Sequence, residues 1–215
     1  MNPWEDIHRF VLEQGQEIDW GGALTDGVMG YLENCHNLLD LGCGSGNDAL
    51  RLARTGMRVI GLDVSLSAVN RAQDRANAEG LNAQFVQADM SQGLTFRSGR
   101  FDGVLANLSL HYFSWEQTRS IVAEVGRVLK PGGVFVLHLN SEREGEKRRA
   151  KGVAMEPLEP GLYREGDGIT RRYFSVQQLE ELLKDWRVEL LELLRIENTR
   201  GKPKICWRAV ALNSQ

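Results

Sequence analysis

No run of about 18 apolar residues occurs anywhere in the 215-residue sequence, so no segment qualifies as a membrane-spanning helix. Cysteine is scarce. Cys35, Cys43 and Cys206 are odd in number and lack zinc-type spacing, which suits free thiols in a reducing compartment. The four histidines, His8, His36, His111 and His138, form no cluster with them, and no structural metal is expected. The opening stretch MNPWEDIHRF carries acids early and has no apolar core of a secretory signal, so a cytoplasmic protein is expected. Nor does one sign of charge dominate. Twenty-six basic against 29 acidic residues leave a net charge of −3, with no global attraction to nucleic acid or an anionic membrane. The length suits one well-buried α/β domain over 1–215 and is short for two.

The chain is organised around Leu38–Asp48, LLDLGCGSGND. Leu38–Leu41 reads as a short buried strand, followed by a glycine loop and a helix starting near Asn47. Gly42, Gly44 and Gly46 remove three Cβ atoms within five residues, so the backbone can turn sharply and a ligand can approach closely. Free amide groups gather where the helix begins. Such a turn serves either a dinucleotide, through its pyrophosphate, or a nucleoside with an amino-acid tail. Asp40, at the strand end, would repel a pyrophosphate and suits an ammonium group. The G-x-G-x-G spacing also departs from the dinucleotide pattern G-x-G-x-x-G.

Downstream, strands and helices alternate. Arg58–Asp63 reads as a second strand, and Asp63 ends it about 20 residues past the loop, where an acid accepts from both ribose hydroxyls in a nucleotide-type βαβ unit. A helix over Ser65–Glu79 stops at Gly80. Ala83–Gln87 is a third strand, with Asp89 and Met90 just beyond it. Phe101–Asn107 is a fourth, followed by Ser109–Phe113. Ser114–Gln117 is a capping box opening a helix with Trp115, Thr118, Val122, Val125 and Leu129 inward. Lys130-Pro131-Gly132-Gly133 turns the chain into a fifth strand, Val134–Leu139. This alternation implies a parallel, doubly wound sheet. Residues 140–168, with the charged run EREGEKRRAK, show no periodicity and read as an insert or lid loop; a solvated charged face is the ordinary fate of Lys147, Arg148, Arg149 and Lys151. Ile169–Phe174 looks extended, Ser175–Gln178 is a second capping box, and Val188–Ile196 with Ile205–Leu212 form an antiparallel hairpin. Residues 1–36 read as a helical cap: an amphipathic helix from Met1 to about Trp20, a possible short helix over Val28–Cys35, and Trp20 as the aromatic nearest the ligand.

LLDLGCGSGND, VIGLDVS, QADM, FDGVLANLSLHYF and LKPGGVFVLHL resemble, in order and spacing, the motifs of class I S-adenosylmethionine-dependent methyltransferases. The resemblance implies a Rossmann-like seven-stranded sheet of order 3-2-1-4-5-7-6 with the last strand antiparallel. It implies S-adenosyl-L-methionine as cofactor and S-adenosyl-L-homocysteine as product. Asp40, Gly42, Cys43 and Gly44 would line the methionine tail; Asp63 would take the ribose hydroxyls and Val64 would pack on adenine. Asp89 and the Met90 amide would meet adenine, and Asn107 with Leu108 would flank the tail and sulfonium. The N/D-P-P-Y motif of nucleic-acid amino methyltransferases is missing, Asn107-Leu108-Ser109-Leu110 standing in its place. The L-H-Y-F segment is similar to that of small-molecule methyltransferases, so a small-molecule acceptor is expected and no nucleic acid.

Methyl transfer from a sulfonium needs alignment and exclusion of water more than acid–base help; orientation can supply on the order of 7–11 kcal/mol at best. Where the acceptor must lose a proton, His111 is the candidate base, a packing histidine being the alternative. Trp20, Tyr112, Tyr163, Arg171 and Arg172 are candidates for the acceptor pocket by position alone, and His138 reads as structural. Other readings are a non-catalytic S-adenosylmethionine or S-adenosylhomocysteine binder acting through the basic run, a methyltransferase for a protein or metalloid acceptor, and, disfavoured by Asp40, a nicotinamide oxidoreductase. The oligomeric state is not legible.

Overall fold

The computed structural model describes residues 3–15, 19–20 and 22–214. Its strands are β1 (Asn37–Leu41), β2 (Arg58–Asp63), β3 (Ala83–Gln87), β4 (Phe101–Asn107), β5 (Leu129–Asn140), β6 (Met155–Glu159), β7 (Leu162–Glu165), β8 (Thr170–Arg172), β9 (Trp186–Glu197) and β10 (Pro203–Asn213). Seven of them form one sheet of order β3-β2-β1-β4-β5-β10-β9. Setting aside the three short strands β6–β8, this is the expected order, with β10 antiparallel to β5 and β9 antiparallel to β10. Strand β5 begins at Leu129, ahead of the expected Val134, because Leu129 already pairs with Phe101.

The helices are α1 (Pro3–Glu13), α2 (Met29–Leu32), α3 (Asn47–Ala53), α4 (Leu66–Glu79), α5 (Trp115–Val128), α6 (Glu142–Ala150) and α7 (Val176–Leu182). Parallel strands covered on both faces read as continuous apolar runs, and side-chain alternation then sends neighbours to opposite cores. Leu38, Val59, Leu105 and Val136 join α3 and α4 through Leu50, Ala72 and Ala76. Leu39, Ile60, Val104 and Leu137 join α5 and α7 through Val122, Val125 and Leu179. Each fully buried leucine contributes about 1.5–3 kcal/mol, so the two cores hold the sheet between helices and leave its carboxyl edge to the loops. Both capping boxes form, at Ser114 and Ser175, and Gly80 closes α4 with φ 63°.

Two expectations change. The first helix covers Pro3–Glu13 rather than reaching Trp20; Met1, Asn2 and residues 16–18 lie outside the described residues. Its Phe10 is 58% exposed, so the apolar stripe faces only partly inward. The segment 140–168 is regular, not a loop. Ser141 caps α6, acids fill its first turn, and Lys147, Arg148 and Arg149 fill its last, which complements the helix dipole without any apolar period. Strands β6–β8 then form a small antiparallel sheet. Nor is the basic run merely solvated. Lys147 Nζ donates to Glu144 and to the Pro203 carbonyl, both at 2.7 Å. Arg148 pairs with Glu165, which also holds Arg171 at 2.7 Å and accepts from the Tyr173 hydroxyl.

The buried Glu165 therefore ties α6, β7 and β8 together. Glu165→Gln would leave Arg148 and Arg171 short of a counter-charge and lower the unfolding free energy by about 3 kcal/mol. Urea denaturation checks this, and an unchanged midpoint would show that the insert is held by something else.

Candidate functional site

The carboxyl ends of β1, β2, β4 and β5 meet at one edge, where open α/β sheets bind ligands. The glycine loop lies between β1 and α3. Gly42 has φ 74°, and a Cβ there would come within 2.4 Å of Ser109 Cβ; Gly44 has φ 52°, and a Cβ there would stand 3.5 Å from the His8 ring. Two amides of the loop, Gly42 at 2.7 Å and Cys43 at 3.1 Å, donate to the Leu62 carbonyl. Asp63 braces the same loop, accepting from the Gly44 amide at 2.8 Å and from the Ser65 amide at 2.9 Å. The Cys43 thiol is pushed up by burial and by Asp40 and Asp63, so it is a small neutral contact rather than a nucleophile.

Carboxylates accumulate here. Asp40 is buried, and burial, then Asp48 and Asp63, push its carboxyl well above the usual range. Asp48 is pushed up too, by burial first, with Asp19 and Asp26 adding to it against Asn107 and Arg51. Desolvation and like charges both disfavour ionisation of Asp40, and the guanidinium of Arg51 acts against this only at Asp48. Asp89 at the end of β3 is exposed and caps a 3-10 turn, Met90–Gln92, accepting from the Ser91 amide at 2.9 Å. Met90 is buried, with its methyl 3.5 Å from where a Gly42 Cβ would stand. Val64 lies between Asp63 and the Ser65 cap, its carbonyl accepting from Gln87 at 3.3 Å.

After β4 the chain is held by a directed chain of hydrogen bonds. Arginine can only donate, so Arg208 Nε at 2.9 Å makes His138 Nε2 the acceptor. His138 Nδ1 then carries the proton and donates to Asn107 Oδ1 at 2.7 Å, and Asn107 Nδ2 donates to Asp48 at 3.0 Å. Leu108 follows with φ 54°, the single positive-φ residue other than glycine among those described, which for a bulky side chain is strain of about 1–2 kcal/mol. Beyond it Ser109 Oγ and both ring nitrogens of His111 are buried without a hydrogen-bond partner among the described residues.

Segments from both chain ends cover this edge. Glu5 of α1 accepts from Ser65 Oγ at 3.0 Å and from the Ser67 amide at 3.2 Å, and Trp4 meets the Tyr112 ring at 4.4 Å. Sequence reading singled out the apolar face of α1 and passed over Glu5; the serines after β2 were the only signal. Trp20 packs with Leu24, Leu108 and Cys206. Of the acceptor candidates, Tyr112 and Trp20 thus reach the edge. Tyr163 instead lies in the small sheet, 6.2 Å from the Tyr173 ring and beneath Arg149 at 5.3 Å. Arg171 is engaged by Glu165 and Asp167, and Arg172 is fully buried against Glu159, Trp115 and Phe174. Lys204, which sequence reading passed over, stands beside Trp20 at 5.9 Å from its ring. Two surface clefts of about 400 and 250 Å³ lie at the opposite end of the strands, around Asp102, Lys130 and Arg100, away from every one of these loops.

The group implied by the glycine loop fits this edge: a cradle that Cβ atoms would fill, an orphaned Ser109 hydroxyl and an uncompensated acidic cluster all face one place. Residues 38–133, just under half of the chain, match a family model described as a methyltransferase domain. An uncharacterized methyltransferase of Synechocystis is 41% identical over 100 residues, 46% of this chain and 45% of that protein. A ribosomal RNA small subunit methyltransferase C of Alcanivorax borkumensis is 36% identical over 136 residues, 61% of this chain and 41% of that one. The chain thus spans less than half the length of these curated relatives. A solved S-adenosylmethionine-dependent methyltransferase of Methanosarcina mazei superposes with a TM-score of 0.72 at 25% identity, covering 88% of this chain and 97% of that one.

The hydrogen-bond chain fixes a pH response. Burial first, then Arg208, lowers the His138 pKa to about 3, so the unfolded chain binds more protons below its ordinary value of 6.5. This contribution is complete above that value and is lost as pH falls from it toward about 3. Between pH 7 and pH 5 it costs about 2 kcal/mol of stability. His138→Gln is expected to be less stable at pH 7 but to lose about 2 kcal/mol less on going to pH 5. Urea unfolding at the two pH values measures both, and identical losses would place the proton elsewhere.

Proposed function

We propose that this chain, which carries a class I S-adenosylmethionine-dependent methyltransferase domain, transfers the sulfonium methyl group to a small-molecule acceptor by in-line displacement. The observation that carries the reading is the acidic cluster of the buried Asp40 and Asp63 with the half-buried Asp48 around the glycine loop. Such a cluster rejects a pyrophosphate and favours a ligand bearing both an ammonium and a sulfonium. When bound, that ligand supplies a methyl carbon that leaves sulfur as the acceptor's electron pair arrives, the carbon–sulfur pair returning to a neutral thioether.

The chain's own residues bind, orient and exclude water. Asp40 faces the ammonium, with Gly42, Cys43 and Gly44 against the tail. Asp63 retains lone pairs for the ribose hydroxyls while it braces Gly44. Val64, Asp89 and Met90 flank the adenine, and Asn107 and Leu108 present backbone groups near the sulfonium. Cover from α1 and Trp20 keeps water out, which strengthens these interactions and favours a compact acceptor over a polynucleotide. The ribosomal RNA relative does not transfer its substrate here: this chain spans 41% of it and lacks the N/D-P-P-Y motif. The rival reading of a non-catalytic binder rested on the basic run, of which Lys147 and Arg148 are engaged internally.

Calorimetric titration is expected to show micromolar binding of S-adenosylmethionine and S-adenosylhomocysteine and none of NAD. Asp63→Ala should weaken both at least ten-fold, with the circular dichroism spectrum unchanged. NAD binding alone would overturn the assignment. Burial and the neighbouring acids raise the proton affinity of Asp40, and a bound ammonium would lower it again, so binding of the cationic donor should be accompanied by proton release. Titration in two buffers of different ionisation enthalpy reads that proton, which Asp40→Asn should remove.

A further inference from the structure

His111 is the least satisfied polar side chain on this edge. It lies on the 3-10 turn Leu110–Tyr112, is 1% exposed, and has no partner for either ring nitrogen among the described residues. Among the described residues its close ring neighbour is Tyr112, centroids 4.2 Å apart, which gives packing but no hydrogen bond. A buried imidazole left without partners costs about 1–3 kcal/mol for each unmet group, so a native structure that keeps one leaves room for a ligand. The charges within electrostatic reach of it are both positive, Lys204 and Arg171.

These two cations differ. Arg171 has Glu165 and Asp167, and Arg148 has Glu165, so acids there match bases. Lys204, at the start of β10, donates to Asn140 Oδ1 at 2.6 Å and lies over the Trp20 ring. Among the described residues no carboxylate stands within ion-pair distance of it. Glu144, the nearest acid acting on it, is already taken by Lys147 at 2.7 Å and the Ile205 amide at 2.8 Å. An ammonium has three donors, and only one is used, on a neutral oxygen. Burial, aided by Arg171 and Arg148, accordingly brings its pKa down to about 8.

The strand register gives this surplus its place. Asp63 ends β2 and Asp40 is the last residue but one of its neighbour β1; next come Asn107 on β4, Asn140 on β5 and Lys204 on β10. The edge is acidic on one side of Asn107 and basic on the other. We infer that Lys204 and His111 form the acceptor's binding pocket and select a small oxyanion, foremost an organic carboxylate, with Lys204 reading its charge. This rests on the methyltransferase reading above, in which the cationic donor occupies the acidic side.

The test uses the protein loaded with S-adenosylhomocysteine, titrated calorimetrically with benzoate and indole-3-acetate, with their amides benzamide and indole-3-acetamide, and with selenite as an inorganic oxyanion. At least one anion should bind ten-fold or more tightly than its neutral counterpart. Lys204→Met should erase that preference and Lys204→Arg should keep most of it, both with unchanged affinity for S-adenosylhomocysteine. Binding of the anion should also shift the His111 ring ¹⁵N resonances. Binding of selenite alone would assign the pocket to inorganic oxyanions and still support the charge selection. Amides that bind as well as the acids, an absence of binding by every anion, or a preference that survives Lys204→Met would overturn it. Failure of S-adenosylhomocysteine to bind at all would instead overturn the methyltransferase reading.

Discussion

A guanidinium cannot accept a hydrogen bond, and at Arg208 that restriction orders the whole ligand edge. Arg208 sits on β10, its partner His138 on β5, Asn107 on β4 and Asp48 on α3, so one chain of bonds runs from the antiparallel hairpin to the glycine-loop helix. The direction of each bond follows from the one before it. Arg208 also donates to the Ala23 carbonyl at 2.9 Å and pairs with Glu192 at 3.1 Å, which fixes the segment carrying Trp20 to the same frame. Reversal of any link would leave a buried donor facing a donor. The chain therefore specifies a single rotamer of Asn107 and a single tautomer of His138, and through them the placement of Leu108 in its strained conformation.

On this frame the edge separates charge. Burying Asp40 beside Asp48 and Asp63 is unfavourable for the folded protein alone, since desolvation and both neighbouring acids push up its proton affinity. Folding tolerates it because α3 and the cores on both faces of the sheet are stabilised independently, by Leu50, Leu52, Leu39 and Leu41 among others. Instability localised at the strand ends is what a cationic ligand relieves on arrival. Lys204 presents the opposite imbalance a few residues along the same edge, with its counter-charge missing rather than repelled.

Much of the core was legible because its causes are local. Buried parallel strands announce themselves as apolar runs, α5 and α7 by their serine capping boxes, α4 by its stop at Gly80, and the glycine loop by three missing side chains; Asp63 and Asp40 were singled out by their positions near strand ends. The insert was not legible. Helix α6 has no apolar face, and its fixing contacts, Lys147 to Pro203 and Glu144 to the Ile205 amide, cross about 60 positions of sequence. Periodicity cannot register a helix held by long-range ion pairs and caps. Lys204 was invisible for a related reason: beside Pro203, in a turn-rich stretch, nothing distinguishes it from a surface lysine until β10 pairs with β5 and brings it to Asn140. Tyr163 was placed by position alone for the same reason, since the hairpin that carries it is part of the insert.

Helix α1 limits access to this edge. Its attachment is concentrated in polar contacts at its first turns, where Glu5 takes both Ser65 and Ser67 and Trp4 reaches Tyr112, while Phe10 further along stays 58% exposed. Hydrogen bonds to one carboxylate are exchangeable for water at small net cost, whereas an apolar interface of the same extent would not release easily. The serines that hold Glu5 follow directly on Asp63 and Val64, and Tyr112 adjoins His111. One helix thus touches both the side of the edge assigned to the donor and the side assigned to the acceptor, through contacts weak enough to break. A cover of that kind shields both sides of the edge from water, while the sheet beneath it is held by its own two cores.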